Sequence, residues 1–369
     1  TILIVLDMED IYNLNKFEIT QVIEEQNFPT YRSEQIWRYL YKNEVESFDE
    51  MKNISTKLID LLKQNYFIGS VNEVRNIVSK DKSTYKSLFS LRDGLNVESV
   101  LMNYPSDDHR KPRKTICISS QVGCALGCTF CATGQQGFTR NLTSGEIISQ
   151  VLYYKKLDKN GFFDEILDKP ESSYKGIKNI VFMGMGEPLA NYENTIKAIK
   201  VLNDDNGPNF GARNITVSTV GLVPQILRLA DEKIQINLAV SIHAPDNETR
   251  SETVPINKRY PIEMLIDACK EYIRKTNRKI FFEYVLLNGQ NDSLEHATNL
   301  GKLLRNLLCH VNLIPVNPTL KSDFLRSNIS DIKNFQKELM SFGVPSTLRM
   351  EKGIEVSAGC GQLAKSNSY

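Results

Sequence analysis

The sequence predicts an α/β fold: a partial (β/α)6 barrel, with an N-terminal helical module and a small β-hairpin ahead of it. Three observations carry this expectation. From residue 115 onward, short apolar runs alternate with longer segments of helical period. The first 66 residues are patterned as helices alone. The unusual residues of the chain, its cysteine loop and a Gly-x-Gly-Glu loop, directly follow predicted strands, where parallel barrels hold their ligands.

Taken in order, Phe17–Gln26 and Ser33–Lys42 read as amphipathic helices, with Ile36, Trp37, Tyr39 and Leu40 forming an apolar face. Asn53–Gln64 continues with Ile54, Leu58, Leu61 and Leu62 at helix spacing. Tyr85–Leu91 and Val97–Tyr104 alternate as strands around the turn Asp93-Gly94, which predicts the hairpin. The barrel strands are then Thr115–Ser119, Ile177–Met183, Ile215–Thr219, Ile236–Ile242, Lys279–Leu287 and His310–Val316. Helices are predicted over Glu146–Lys156, Glu193–Leu202, Val223–Leu229, Ile262–Lys275 and Ser293–Leu307. Thr143-Ser-Gly-Glu146 has the spacing of a capping box. The polar segment 157–176 reads as a surface loop. The expected organisation is 1–66 helical module, 67–114 small β segment, 115–345 barrel and 346–369 C-terminal segment.

Composition sets bounds. At 369 residues, 41% hydrophobic and 24% charged, the chain has the make-up of a globular enzyme with one large domain and an appendage. No apolar stretch approaches the roughly 20 residues of a membrane span. The apolar run Thr1–Leu6 lacks a basic leader, so no secretory signal is expected, and the absent initiator Met suggests a trimmed or incomplete N-terminus. Seven cysteines, an odd number with three in one loop, point to a reducing compartment, hence the cytoplasm. A net charge of +1 gives no bulk support for a polyanionic partner. Locally, His109-Arg-Lys-Pro-Arg-Lys114 concentrates four strong cations ahead of the cysteine loop. It reads either as a solvated edge or as a phosphate grip.

The run Cys124-Ala-Leu-Gly-Cys128-Thr-Phe-Cys131 aims three thiolates from one short loop. Soft thiolates are the ligands of iron–sulfur clusters, and three of them leave one iron of a [4Fe–4S] cluster open. The competing reading, a zinc knuckle, would want a fourth Cys or His nearby, and none follows Cys131 until Cys269. The C-x3-C-x2-C spacing resembles the radical S-adenosylmethionine (SAM) superfamily, in which the open iron binds SAM and delivers an electron to its sulfonium. In Gly184-Met-Gly-Glu-Pro188 the glycines are read as letting backbone approach a ligand, and Glu187 as a carboxylate for an ammonium group.

Extended to Cys124–Leu142, Gly184–Leu189, His310–Pro315 and Cys360-Gly-Gln-Leu363, the match resembles the radical-SAM 23S rRNA/tRNA adenine-C2 methyltransferases. The resemblance covers nearly the whole chain, the N-terminal module included. It implies that Cys124, Cys128 and Cys131 ligate the cluster. It implies that Gly186, Glu187, Ser218, Ser241, Ile242, His243 and Asn317 contact SAM. It further implies that Cys360 accepts a methyl group from one SAM, and that a second SAM, cleaved at the cluster, yields the radical that activates it. The carbon then adds to C2 of adenine, and Cys117 helps remove the C2 proton and resolves the adduct through a disulfide with Cys360. Glu98 matches an active-site acid of the family, against the alternative of an exposed strand carboxylate. Such a detour makes sense, because electron-poor C2 is a weak nucleophile toward a SAM methyl.

Cys269 and Cys309 are expected to be buried structural thiols. Arg140 is read as touching RNA or cluster-loop carbonyls, and Gly359 as adding backbone freedom beside Cys360. The expected partners are 23S rRNA, tRNA and a reducing electron donor such as flavodoxin. No membrane partner is expected, and the chain is taken as a monomer. The helical module and the Arg110–Lys114 run are the candidates for gripping RNA. Rival readings are the sister adenine-C8 methyltransferase and a non-catalytic Fe–S or zinc RNA-binding protein.

Overall fold

The computed structural model describes residues 8–105, 112–167, 176–317, 319, 323–349 and 352–364. Thr1–Leu6 and His109–Lys111 therefore lie outside the described residues, as does most of the predicted loop 157–176 from residue 168 onward. Strand β1 (Glu9–Asp10) precedes helices α1 (Lys16–Glu25), α2 (Tyr31–Arg38) and α3 (Thr56–Asn65), and β2 (Tyr66–Phe67) returns to pair with β1 in parallel. A full capping box opens α1, where the Asn15 and Glu18 side chains each take the other's backbone N–H. Ile36, Trp37, Leu40, Leu58 and Leu62 are buried, so the apolar stripe visible in the sequence is the stripe that packs.

A ten-stranded sheet follows. The antiparallel strands β3 (Val71–Val78), β4 (Thr84–Leu91) and β5 (Asn96–Tyr104) lead into β6 (Arg113–Cys117). A separate hairpin, β7 (Gln121–Gly123) with β8 (Phe138–Asn141), brackets the cysteine loop and the short helix α4 (Ala132–Gln135). Parallel strands continue from β6 through β9 (Asn179–Phe182), β10 (Ile215–Thr219), β11 (Asn237–Ser241), β12 (Ile280–Leu286), β13 (Cys309–Pro315) and β14 (Ser346–Leu348). Helices α5 (Ser144–Lys159), α6 (Phe162–Ile166), α7 (Tyr192–Asn203), α8 (Val223–Ala230), α9 (Asn247–Thr253), α10 (Ile262–Thr276), α11 (Leu294–Leu304) and α12 (Ile329–Ser341) form the crossovers. The order is β14-β13-β12-β11-β10-β9-β6-β5-β4-β3, so among the described residues the sheet is open, with edge strands β14 and β3 that do not pair with each other.

The sheet differs from expectation in three places. The six expected strands pair in order, but β14 adds a seventh parallel strand behind α12; three residues are too few to show a period. The hairpin continues the barrel sheet through β5 and β6 and gains β3. A bulge between Glu73 and Arg75 breaks the alternation of β3 and leaves Val74 exposed, which hid the strand. Within the segment read as a loop, α5 runs on to Lys159 and α6 follows, its Phe163 buried against Tyr85 and Tyr154. The predicted Thr143–Glu146 capping box is present at the start of α5.

Lys114 does not face solvent. Its ammonium is buried between Asp158 at 2.5 Å and Asp164 at 3.1 Å, and Arg113 lies over the Tyr104 ring at 4.4 Å. The described end of the basic run is thus committed to internal contacts, and its two roles weighed from sequence do not extend to Lys114. No helix among the described residues is long and apolar enough to cross a membrane.

The helical module is seated on the barrel through Asp10 and α5. The Asp10 carboxylate accepts from the backbone N–H groups of Tyr12 at 3.0 Å and Gly69 at 3.3 Å and from the Ser70 hydroxyl. Gly145 donates its N–H to Asn13 Oδ1 at 2.8 Å, and a Cβ there would lie 2.9 Å from Asp10 Oδ2, so the approach requires glycine. Burial outweighs these hydrogen bonds and raises Asp10 to about 6, against 3.8 when unfolded. The folded state therefore holds this proton more tightly. The stabilisation is full below the unfolded value and is lost as pH rises through about 6. Relative to wild type, Asp10→Asn should gain about 2 kcal/mol of unfolding free energy between pH 4 and pH 7, read from urea titrations at both pH values. A difference that does not change with pH would contradict this seating.

Candidate active site

Hairpin β7–β8 shapes the cysteine loop. Gly123 has φ +79, and a Cβ on it would meet the Gly137 carbonyl oxygen at 1.9 Å, so only glycine lets the hairpin close. The loop it carries is pinned by Cys124 N–H donating to Gly137 O at 3.0 Å, Cys131 N–H to Cys128 O at 3.1 Å and Thr129 N–H to Thr253 O at 3.1 Å. Cys128 is buried, while Cys124 and Cys131 are half-buried. Burial, reinforced by the charge of the neighbouring thiolates, raises Cys124 to about 12 and Cys128 well above its ordinary value. Thiolates gathered in one loop need compensating positive charge, and their softness suits iron. Among the described residues no three His, Cys, Asp or Glu side chains sit close enough to hold a single ion. A cluster makes no such demand, because it spreads its thiolates over separate irons. The donor set thus fits a [4Fe–4S] cluster with one iron free for a ligand.

Next to this loop, at the C-terminal ends of β9 to β13, lies a cavity of about 130 Å³. Cys128 and Cys131 line it, together with Gly186, Glu187, Ser218, Ser241, His243 and Asn317. Ile242 is the exception among the residues matched to SAM. Its side chain is buried in the core; its amide donates to Glu283 O at 3.1 Å and its carbonyl accepts from Arg250 Nε at 3.0 Å. A larger cavity of about 640 Å³, bordered by Arg113, Asn179, Arg213 and Asn237, opens toward the other ends of the strands and has no cysteine in its wall.

The glycines of the Gly184–Pro188 loop border this cavity and are at the same time close-packed behind it. A Cβ on Gly184 would lie 2.6 Å from Ile118 O, and one on Gly186 (φ +98) 2.5 Å from Gln121 Cβ. They let this loop nest against the chain entering β7. Glu187 is held at both oxygens, by Leu189 N–H at 3.0 Å and Val220 N–H at 2.9 Å. Burial still raises it to about 7, so an incoming ammonium would offset its desolvation and favour the ionised form. Asn317 gives its amide N–H to Cys360 O at 3.2 Å, while its Oδ1 is buried without a protein donor. An unmet acceptor in a cavity wall is what a ligand N–H or O–H satisfies. His243, with φ +56, accepts Val285 N–H on Nδ1 at 3.0 Å, which leaves the proton of the neutral ring on Nε2. Burial and then the charge of Arg250 lower it to about 3, so it stays neutral at physiological pH.

Cys117, at the end of β6, and Cys360 share a smaller cavity of about 40 Å³ with Met183, Asn317, Arg349 and Leu363. Both are free thiols, so the structure gives no support to a standing disulfide. Burial raises Cys117 to about 12. Cys360 keeps solvent access, yet protein crowding raises its thiol and Arg349 pulls the other way. Gly359 is not a point of freedom: a Cβ there would lie 2.8 Å from Asn317 Nδ2 and 2.7 Å from Gln362 Oε1. It is a close-packing glycine. Glu98 lines neither cavity; it is fully buried, with its carboxylate on Lys86 at 2.7 Å. Arg140 binds Glu146 through two nitrogens at 2.8 and 2.7 Å and Asp93 at 2.7 Å, tying β8 to α5 and the β4–β5 turn. Cys269 and Cys309 are buried, as expected.

Residues that sequence reasoning missed organise this site. Arg250, fully buried, donates to the carbonyls of Ile242 at 3.0 Å, Val220 at 2.6 Å and Ser241 at 3.1 Å and to Asn257 Oδ1 at 2.9 Å. It sits in Asn247-Glu-Thr-Arg250-Ser-Glu, which reads as an ordinary exposed helix start. Glu283, with Asn312 at 2.8 Å and Arg349 at 3.5 Å, borders the cavity. A lone carboxylate inside Ile280-Phe-Phe-Glu-Tyr-Val-Leu286 was the signal that could have found it. Arg250→Met would strip a donor from three carbonyls, of which Ile242 O keeps the Ala244 N–H at 2.8 Å, and Arg250→Lys cannot reproduce the planar fork. SAM affinity of both variants, by equilibrium dialysis, should fall about tenfold or more, with Lys the milder. Unchanged affinity would contradict the bracing role.

Comparison with known proteins agrees with this geometry. Residues 118–300 match the family model of the radical SAM superfamily, and residues 9–68 that of the ribosomal RNA large subunit methyltransferase N-terminal domain. A probable dual-specificity RNA methyltransferase RlmN of Clostridium novyi is 44% identical, covering 97% of this chain and 98% of its own. That of Staphylococcus aureus strain JH9 is 44% identical over 97% and 93%. The crystal structure of a radical SAM methyltransferase from Sphaerobacter thermophilus superposes with a TM-score of 0.89 at 43% identity, covering 97% of this chain and all of the other. From cysteine loop to C-terminal thiol, the chain belongs to the RlmN family of radical SAM enzymes that methylate RNA.

Proposed function

We propose that this enzyme methylates C2 of adenosine in 23S rRNA at the peptidyl-transferase centre, and in tRNA next to the anticodon, consuming two SAM molecules per methyl group. The observation that carries the reading is the placement of Cys360. Its thiol borders one cavity with Cys128, Cys131 and Glu187 and a second with Cys117. A bound [4Fe–4S] cluster and SAM would supply the electron and the methyl group. Cys124, Cys128 and Cys131 hold the cluster. Glu187 takes the SAM ammonium, Asn317 offers Oδ1, and Gly186, Ser218, Ser241 and neutral His243 complete the pocket, while Ile242 stays in the core beneath it. Cys360 carries the transferred carbon to an adenine turned out of its stack. Cys117 faces it to take part in C2 deprotonation and then to attack the Cys360 sulfur; the S–CH2 bond breaks with its electron pair on carbon, which takes a proton to become the methyl group, and a thiol reductant reduces the resulting disulfide.

The helical module (1–66) is the surface assigned to RNA, with the small β segment (67–114) as an accessory, and the barrel (115–345) and C-terminal segment (346–369) carry the chemistry. A low-potential donor of the flavodoxin type supplies the electron, and the enzyme works as a cytoplasmic monomer.

Nucleoside mass spectrometry after anaerobic incubation of the reconstituted enzyme with SAM, reductant and 23S rRNA tests this. Wild type should form 2-methyladenosine and Cys360→Ala none, while Cys117→Ala should retain a covalent protein–RNA band on denaturing gels. Formation of 8-methyladenosine would overturn the regiochemistry. Equal turnover by Cys360→Ala would overturn the carrier.

A further inference from the structure

The strand pair β4–β5 has two differently used faces. Its outer face is covered by α5 and α6: Tyr85 and Phe89 pack edge-on to Tyr154, and Ser99 donates to Gln150 Oε1 at 2.5 Å. On the inner face Leu88 pairs with Glu98, so Lys86 is the diagonal neighbour of Glu98. Their charges meet at 2.7 Å, with the side chains 3% and 0% exposed. Such a pair is poor at stabilising a fold, because desolvating two ions offsets most of their attraction. What the two ions hold is more informative.

Both bind one stretch of chain. Lys86 Nζ donates to the Ser357 carbonyl at 3.1 Å, and Ala364 N–H donates to Glu98 Oε2 at 2.9 Å. These points bracket Cys360, three residues before it and four after. The intervening backbone is irregular, with left-handed turns at Ser357 (φ +53) and Gly361 (φ +78). No sheet ladder fixes it, so charge-assisted bonds from outside weigh heavily. On its far side the same loop is tied to the cluster hairpin: Ala132 N–H donates to Gly361 O at 2.7 Å and Thr133 Oγ1 to Leu363 O at 2.5 Å.

We propose that the buried Lys86–Glu98 pair is a two-pronged clamp that sets the position of the Cys360 loop over the cofactor cavity, making both side chains positioning residues for that thiol. The proposal rests on the carrier role of Cys360. It gives the β4–β5 hairpin a part in the reaction without contact with RNA or cofactor, and it assigns Glu98 a structural hold on Ala364.

The test uses full-length, cluster-reconstituted enzyme and hydrogen exchange read at the peptide 353–364. Single neutralisation can strand a buried charge and unfold the chain, so the main variant removes both ions, Lys86→Met with Glu98→Leu. Exchange of 353–364 should quicken at least about tenfold, with the cysteine-loop peptides unchanged and methylation reduced in step. Lys86→Arg should restore near wild-type exchange. A folded double variant with wild-type exchange at 353–364 would overturn the clamp. So would Glu98→Gln that abolishes methylation while exchange stays at the wild-type rate, because Glu98 would then act chemically. Continued methylation by Cys360→Ala would instead defeat the carrier reading and leave the exchange result intact.

Discussion

The arrangement depends on one set of contacts: the stitching of an irregular C-terminal loop onto the cysteine hairpin and the chain leaving β13. Ala132 N–H to Gly361 O, Thr133 Oγ1 to Leu363 O and Asn317 Nδ2 to Cys360 O join segments more than 40 residues apart in sequence. They hold the loop from the side opposite the Lys86 and Glu98 bonds, and so give the cysteine hairpin and the distant Cys360 a defined relation. With them, one thiol borders both the cofactor cavity and the cavity of Cys117. A reaction that hands one carbon between sites gains from such fixed spacing, because misplacement by about an ångström can cost two orders of magnitude in rate.

Charge is handled in the interior by pairing or by lowering its cost. Arg250 is buried beneath the strand ends, and its four hydrogen bonds brace the C-terminal ends of β10 and β11, where Ser218, Ser241 and His243 sit. Burial depresses Arg250 to about 10, still charged at neutral pH. Glu187 is raised by the same burial, and His243 is lowered. A site with an unmet acceptor, a poised carboxylate and a neutral imidazole is set to receive a zwitterionic ligand, whose own charges would complete it.

Much of this was legible in the sequence, for identifiable reasons. The six central strands and five main helices have long, strong periods, and Thr143–Glu146 announced its cap by spacing alone. What failed were short or interrupted elements: β14 with three residues, β3 with its bulge, α6 inside a polar stretch. At the site, the cysteine spacing and the Gly-Met-Gly-Glu loop carried their own signal. The pairing of Cys117 with Cys360 did not, since it depends on contacts between remote segments; resemblance brought both to notice. Lys114 looked like part of a cationic patch because its partners Asp158 and Asp164 lie far along the chain. Gly184 and Gly186 border the cavity, and their second task, making room for Ile118 and Gln121, depends on remote segments and was not legible.

The central claim is that Cys360 carries the carbon, and the most direct test is to look for that carbon on the protein. Enzyme reconstituted with its cluster would be incubated with methyl-deuterated SAM, digested and examined by peptide mass spectrometry before RNA is added. The account predicts a labelled methyl group on Cys360 and none on Cys117, lost from the protein as label appears in RNA. Label reaching adenosine while Cys360 stays unmodified at every time point would contradict it.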